Sequence, residues 1–211
     1  MTLVRARTRN GGPRLPDDVR LAVRRYFPTE VSARSAAYYA LPEHLALLRL
    51  RSEAESRMLR WNDVAEDLKK ALGDLSIRVT ECTAFTNSYE LEILLHEDVD
   101  FPTDDQALFE VLKPVVRTAR ISASFLLPYW TMSFRRLRRD RDGMVLHEQV
   151  PIEGRHSTRV VNAAAKVLRK HGWKRMPPNL AQTKVSGMDL EYVDRGDVRV
   201  LDIVFGDLNG L

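Results

Sequence analysis

The sequence predicts an α+β fold: an antiparallel sheet built from about three hairpins, with helices mainly on one face and a helix-rich N-terminal third. Apolar residues recur at helical spacing up to Leu72, and from Leu75 onward they alternate in short segments separated by turn residues. Helical segments begin near Ser52, Thr103 and Ser157, about fifty residues apart, so helix and hairpin alternate along the chain. Successive hairpins tend to join one sheet, and the helices between them tend to cover one of its faces.

The composition is that of an ordinary globular protein, with 211 residues, 44% hydrophobic and 29% charged. We expect a flexible basic tail over residues 1–16 and a single α+β domain over residues 17–211, divided into a helix-rich part at 17–73 and a helix and hairpin part at 74–211. The tail carries four arginines, two glycines and two prolines. Its apolar area is too small to offset the entropy that ordering would cost.

Several classes of protein are excluded at this stage. The N-terminus has no apolar run typical of a secretory signal, and no stretch approaches the roughly 20 apolar residues needed to cross a bilayer. The single cysteine, Cys82, forms no internal disulfide and completes no zinc motif built on cysteine pairs, so we interpret it as a small structural thiol. We therefore expect a cytoplasmic protein that makes no contact with a membrane.

The first third is predicted to be helical. A short helix begins at Asp17 or Asp18, whose carboxylates cap the free N–H groups, and it stops at Pro28. Residues 30–72 form a longer helix-rich segment, which Gly73 ends. The apolar residues at helical spacing in this segment are Leu45, Leu48, Met58, Leu59, Val64, Leu68 and Leu72.

A change to period-two alternation predicts the first hairpin. Residues 75–79 place apolar side chains on one side, and residues 89–95 do so again. Between these runs, Thr86, Asn87 and Ser88 supply the turn. We therefore expect two antiparallel strands over these segments.

A capping box predicts the helix that follows. Thr103 is followed three residues later by Gln106, and Asp104 and Asp105 suit the positive N-terminal end of a helix. Its buried side is predicted to comprise Ala107, Leu108, Val111, Leu112 and Val115. Pro114 is expected to bend or shorten this helix.

The clearest helical pattern lies near the C-terminus. It begins at Ser157 or Thr158 and ends before Gly172, with basic residues in its last turn. Its apolar side consists of Val160, Val161, Ala164, Val167 and Leu168. A third hairpin is then predicted, in which residues 188–192 pair with residues 198–205.

Charge is sorted along the chain. The segment from Glu81 to Leu112 has nine carboxylates and no Lys or Arg, whereas the segment from Lys113 to Arg141 has eight basic residues and one acid, Asp140. Neighbouring blocks of single sign are typical of opposed surfaces or of a binding face. If the two blocks neutralise each other inside the monomer, both lose their value as signs of an interface.

The second hairpin carries the best candidate site. Residues 121–134 are extended in character, Asp142-Gly143 supplies a turn, and residues 144–150 return as the partner strand. Five arginines precede the turn: Arg135, Arg136, Arg138, Arg139 and Arg141. With Trp130 nearby to stack on bases, such a ribbon suits a nucleic-acid groove or a protein partner. A solvated hairpin tip that needs no ligand is the alternative.

The acidic block supplies the other candidate surface. It comprises Glu90, Glu92, Glu97, Asp98, Asp100, Asp104 and Asp105, and the last five are the predicted partner contacts. They are either solvated strand and helix ends or a surface that imitates the charge of a phosphate backbone for a basic partner.

Signs of chemistry are weak. No phosphate loop, dinucleotide motif or nucleophile elbow is present, and His96 with Asp98 and Asp100 makes a poor metal set, so we predict no catalytic residue, cofactor or metal. Trp61 and Trp173 are interpreted as core residues.

The sequence thus favours a non-enzymatic protein that binds a macromolecule. We expect a protein partner, as for a bacterial immunity or antitoxin-like neutralising protein, since charge is segregated and no chemistry is assembled. The alternative is nucleic-acid binding through the arginine-rich hairpin and the basic tail. A third hypothesis is a small-molecule enzyme that works in a pocket between the sheet and the helices.

Overall fold

The sheet is a meander of five antiparallel strands, β1 (Leu75–Thr80), β2 (Ser88–Glu97), β3 (Val115–Ser124), β4 (Tyr129–Arg139) and β5 (Val145–Val150), in that spatial order. A two-residue strand, β6 (Lys174–Arg175), pairs in parallel with the start of β4. The computed structural model describes residues 15–80, 86–102, 105–112, 115–140, 142–151 and 154–206. Most of the predicted basic tail, Cys82, and the first residues of the predicted capping box lie outside these ranges.

Seven α-helices are assigned within the described ranges. They are α1 (Asp17–Tyr26), α2 (Pro42–Ser56), α3 (Met58–Leu72), α4 (Asp105–Val111), α5 (Gly154–Lys170), α6 (Pro178–Ala181) and α7 (Val200–Phe205). A short 3-10 helix, Ala36–Ala40, precedes α2. The predicted α+β class, the antiparallel sheet and the helix-rich N-terminal part are confirmed.

One face of the sheet is apolar and lies under α3 and α5. Alternation along β2 and β3 puts their apolar side chains on this face, where the two helices bury them. The fully buried members include Trp61, Val64, Leu68, Leu91, Ile93, Ile121, Val160, Ala164 and Leu168. This layer of two helices on a sheet face forms the largest of the core clusters that the described residues contain.

The helix α5 forms largely as the sequence predicts. Val160, Ala164, Val167 and Leu168 are buried, as their helical spacing requires. The helix begins at Gly154, three residues before the predicted Ser157. At its other end, Gly172 adopts a φ of 94°, a left-handed conformation that favours glycine and turns the chain away from the helix.

The third predicted hairpin is wrong. Residues 200–205 form α7 instead of a strand, and Val200, Ile203, Val204 and Phe205 are buried. A short apolar run fits a buried strand and a buried helix equally well, so periodicity does not separate the two. The N-terminus of α7 is favoured because the Asp202 carboxylate accepts the backbone N–H of Arg199 at 2.8 Å.

The second predicted hairpin contains a turn that the sequence analysis missed. The stretch predicted as one strand over residues 121–134 is divided between β3, which ends at Ser124, and β4, which begins at Tyr129. The Ser124 hydroxyl holds the turn by accepting the N–H of Leu126 at 3.1 Å. The other turn, at Asp142-Gly143, lies where it was predicted.

We predict that Leu68→Ala lowers the free energy of unfolding by about 2–5 kcal/mol, because it leaves a cavity between α3 and the sheet. Leu68 is fully buried, whereas Leu59 on the same helix is 77% exposed. Urea denaturation followed by circular dichroism measures the difference, with Leu59→Ala as the matched control. Equal losses for the two variants would contradict this packing.

Candidate functional site

Two of the five arginines in the predicted hairpin site, Arg136 and Arg138, are paired with the partner strand. Arg136 lies directly opposite Glu148 in the β4–β5 register. Its Nε and Nη2 donate to one oxygen of Glu148 at 3.1 and 2.7 Å, while Arg138 donates to the other oxygen. These two guanidiniums hold the pKa of Glu148 below its usual value. The ribbon therefore offers fewer free cations than the sequence predicts.

The other residues predicted to contact a partner through the hairpin do not form one surface. Trp130 is only 1% exposed and Arg135 is buried, so neither side chain is available to a partner at the surface. The Arg139 guanidinium lies 5.3 Å from the ring centroid of Phe109. Arg141 lies outside the described residues.

The acidic residues are placed at the end of β2 and beyond it. Glu97, Asp98 and Asp100 are exposed, and the Glu97 carboxylate lies 3.6 Å from Nδ1 of His156. Asp104 lies outside the described residues, and the side chain of Asp105 is not described. Within the described ranges, no group of three His, Cys, Asp or Glu side chains is arranged to hold a metal ion.

A buried ionic network joins members of the two charge blocks on the second face of the sheet. Arg120 on β3 places Nη2 at 3.2 Å from a Glu92 oxygen and Nη1 at 3.6 Å from a Glu90 oxygen. Arg78 on β1 contacts the other oxygen of Glu92 at 2.6 Å. The sheet register puts Glu92 directly opposite both arginines. Here the acidic and basic blocks do neutralise each other.

The pKa values of the two carboxylates in this network are shifted in opposite directions. Desolvation raises the pKa of Glu90, although Arg120 and the Ser122 hydroxyl oppose the shift. Burial also acts to raise the pKa of Glu92, but hydrogen bonds and charge from Arg78 and Arg120 hold it below its usual value. The Arg120 side chain is 7% exposed, and its Nε has no hydrogen-bond partner. Glu90, Glu92 and Arg120 are buried and only Arg78, at 30% exposure, reaches solvent, so the first role of the network is to hold the strands in register.

A groove lies on the helix-covered face of the sheet, where the start of α3, the β3–β4 turn and the end of α5 meet. It encloses about 380 Å³, within the range of roughly 300–1,000 Å³ typical of ligand sites. Its lining residues are Arg57, Arg60, Trp61, Tyr89, Ser124, Phe125, Leu126, Leu127, Pro128, His171, Gly172 and Trp173. We refer to it below as the aromatic groove.

Four rings form the floor of the aromatic groove: Phe125 and Trp173 are partly exposed, and Trp61 and Tyr89 are buried. Trp61 and Tyr89 are stacked with centroids 5.7 Å apart, and Trp173 meets Trp61 edge to face at 5.9 Å. Phe125 meets Tyr89 edge to face at 5.7 Å. Offset and edge-to-face pairs of this kind stabilise one another beyond the area they bury, so the floor is preorganised.

Hydrogen bonds fix the two indoles in place. The Trp61 Nε1–H donates to the carbonyl of Glu90 at 3.0 Å, and the Trp173 Nε1–H donates to the carbonyl of Ser124 at 2.9 Å. Both acceptors are backbone atoms of the sheet strands. The two indoles are therefore anchored to the sheet.

The rim of the aromatic groove is cationic. Arg57 and Arg60 are exposed at the start of α3 and line the groove. Arg57 lies 3.3 Å from Glu53, whereas Arg60 has no ion pair within the part of the chain that the structure describes. No acidic side chain is among the described lining residues.

His171 closes one end of the aromatic groove. Its Nε2 lies 2.8 Å from an oxygen of Asp67 on α3, and the Lys170 ammonium lies 2.7 Å from the same oxygen. These contacts lower the pKa of Asp67 to about 2, chiefly through the hydrogen bond from Lys170 and then that from His171. The pair therefore ties the end of α5 to α3 beside the groove.

The aromatic groove is not among the sites predicted from the sequence. Trp61 is a core residue, as predicted, whereas Trp173 is partly exposed and packs against the core at the groove. The local signals, Arg60 directly before Trp61, Arg57 four residues before it, and Trp173 after a helix end, do not show that these residues meet.

Comparison with known proteins yields no matching family model, no matching curated protein and no matching solved structure. Among the described residues, no helix has the length and apolar character required to span a membrane. The function of the groove must therefore be argued from its own geometry and charge.

We predict that Arg120→Met lowers the free energy of unfolding at pH 7 by about 3–5 kcal/mol, because it leaves buried carboxylates without their counter-charge. The loss should shrink as the pH falls, since Glu90, whose pKa is raised above the ordinary 4.5, takes up a proton and no longer needs a counter-charge. A carboxyl with a raised folded pKa costs stability as the pH rises through the interval between its unfolded and folded values.

Urea titrations at pH 5 and pH 7 measure this effect. Arg117→Met is the matched control, since Arg117 is an exposed arginine on the same strand. Its change should stay within about 0.5 kcal/mol at both pH values. A loss for Arg120→Met that is independent of pH would show that Glu90 is not the group left uncompensated.

Proposed function

We propose that this protein is a non-enzymatic binding protein that holds an acidic segment of a protein partner in the aromatic groove. The observation that carries the proposal is the combination of two partly exposed aromatic rings, Phe125 and Trp173, with a rim whose charges are all positive. A peptide segment with an apolar side chain flanked by carboxylates is complementary to both features.

The floor is suited to supply most of the affinity. Trp and Tyr are enriched among the residues that dominate protein interfaces, because each contributes a large rigid area at low entropy cost. Trp173 is partly exposed, and the hydrogen bond to Ser124 fixes its ring in the unbound protein. An apolar side chain of the partner would therefore dock without reordering the site.

The rim is suited to orient the partner and to raise the rate at which it associates. Arg60 is exposed and has no ion pair within the described ranges, so a carboxylate of the partner meets no competing acid. The guanidinium fork binds carboxylates in a bidentate manner. Exposed charges of this kind are screened by salt, so binding through the rim should weaken as ionic strength rises.

The sequence also favours a protein partner, but it predicts the contact at the hairpin, whereas we propose the aromatic groove. A bacterial immunity or antitoxin-like protein is one concrete instance of such a binder. The exposed acids Glu97, Asp98 and Asp100 are a second surface that such a partner is proposed to use. Nucleic-acid binding through the hairpin has less support, since Arg136 and Arg138 share one carboxylate, Glu148.

Selection of random peptides displayed on phage against the immobilised protein tests the proposal directly. We predict that the enriched peptides carry an aromatic or aliphatic residue flanked by Asp or Glu. Binding of a synthetic enriched peptide should change the tryptophan fluorescence, since two of the three tryptophans, Trp61 and Trp173, line the groove.

The charge reversal Arg60→Glu should weaken the binding of that peptide by at least about tenfold, because it places an acid on the rim. The control is Arg49→Glu, which makes the same change at an exposed position of α2 outside the groove. Enrichment of basic peptides, or equal affinity for the two variants, would overturn the proposal.

A further inference from the structure

A second cavity lies at the opposite end of the helix-covered face, where α5 begins. It encloses about 210 Å³ between the sheet and the first turn of the helix. Leu95, Phe134 and Val150, from three different strands, supply its apolar surface, and Arg117 and Arg136 supply guanidiniums. We refer to it below as the arginine cavity.

The two arginines of this cavity are direct cross-strand neighbours. Arg117 on β3 and Arg136 on β4 are paired in the sheet register, so both side chains point to the same face. Arg138 follows two residues later on that face. Like charges placed directly opposite each other destabilise a sheet, and Glu148 is the single acid in ion-pair contact with this group within the described ranges. Arg136 and Arg138 thus share one carboxylate, and Arg117 has no acid in contact with its guanidinium within these ranges.

Hydrogen-bonding capacity remains on both arginines. The Arg117 side chain makes no hydrogen bond or ion pair within the described ranges, and its backbone N–H donates to Nε2 of His96 at 3.3 Å. Arg136 uses Nε and Nη2 on Glu148, which leaves Nη1 unused. Two guanidiniums with unused donor groups therefore line one cavity whose surface is partly apolar.

We propose that the arginine cavity binds a small organic carboxylate, with the carboxylate between Arg117 and Arg136 and the apolar body against Leu95, Phe134 and Val150. Arginine forks match a carboxylate in shape and charge. The apolar surface distinguishes an organic acid from a bare inorganic anion, which would gain nothing from it. The volume suits a compact ring or a short chain.

This inference does not rest on the proposed function of the aromatic groove. The groove lies beyond the C-terminal end of α5 and the cavity lies at its N-terminal end. The helix has 17 residues, which corresponds to a length of about 25 Å. The two sites are therefore separate, and each can fail its test alone.

Titration of the ¹⁵N-labelled full chain with benzoate, followed by two-dimensional NMR, tests the proposal. We predict saturable shifts of the backbone amides of Arg117, Arg136 and Ser157, with a dissociation constant of about a millimolar or below, as expected for so small a ligand. Benzyl alcohol, which has the ring without the charge, and acetate, which has the charge without the ring, should each bind at least about tenfold more weakly.

The variant Arg117→Gln should weaken benzoate binding by at least about tenfold, while Arg49→Gln, at an exposed arginine outside the cavity, should leave it unchanged. The NMR spectrum of each variant reports directly whether the fold is kept. Equal binding of benzyl alcohol and benzoate, equal binding of acetate and benzoate, an unchanged Arg117→Gln variant, or shifts confined to the aromatic groove would each overturn the proposal.

Discussion

The buried guanidinium of Arg120 constrains the whole sheet. It lies between Glu90 and Glu92 on the second face, and Arg78 extends the network to the first strand. A slip of one residue in the pairing of β2 with β3 would move this charge into the apolar layer beneath α3 and α5. Moving an unpaired charge into an apolar layer costs several kcal/mol, so the network specifies the register that places every other side chain of the sheet.

That register explains why both candidate sites lie on one face and at opposite ends of it. The centre of the apolar face is filled by α3 and α5, which leaves space only where these helices start or stop. The aromatic groove occupies the end at which α5 finishes, and the arginine cavity occupies the end at which it begins. Ligand sites at the margins of a packed layer need no gap in the core, so the fold accommodates them without loss of packing.

The elements that the sequence predicts correctly are those specified by periodicity or turn residues within a short segment. The β1–β2 hairpin, α5 and the Asp142-Gly143 turn each follow from periodicity or turn chemistry, and the structure has them. The turn after Ser124 and the helix α7 lacked such signals, because the first is held by a side-chain contact and the second is a short apolar run. The aromatic groove could not be predicted, since Trp61 and Trp173 are distant in the chain and meet only through packing.

The sorting of charge along the chain has a different meaning in three dimensions. Alternation sends neighbouring residues of a strand to opposite faces, so a block of one sign is divided between two environments. Arg120, on the second face, is matched by buried carboxylates, whereas Arg117, three residues away on the helix-covered face, is left without an ion pair in the described ranges. Pairing on the second face stabilises the register, and unmatched charge on the helix-covered face is available to a ligand. Sheet parity therefore separates Arg120, which is buried against carboxylates, from Arg117, which is exposed, although the two belong to one block of charge in the sequence.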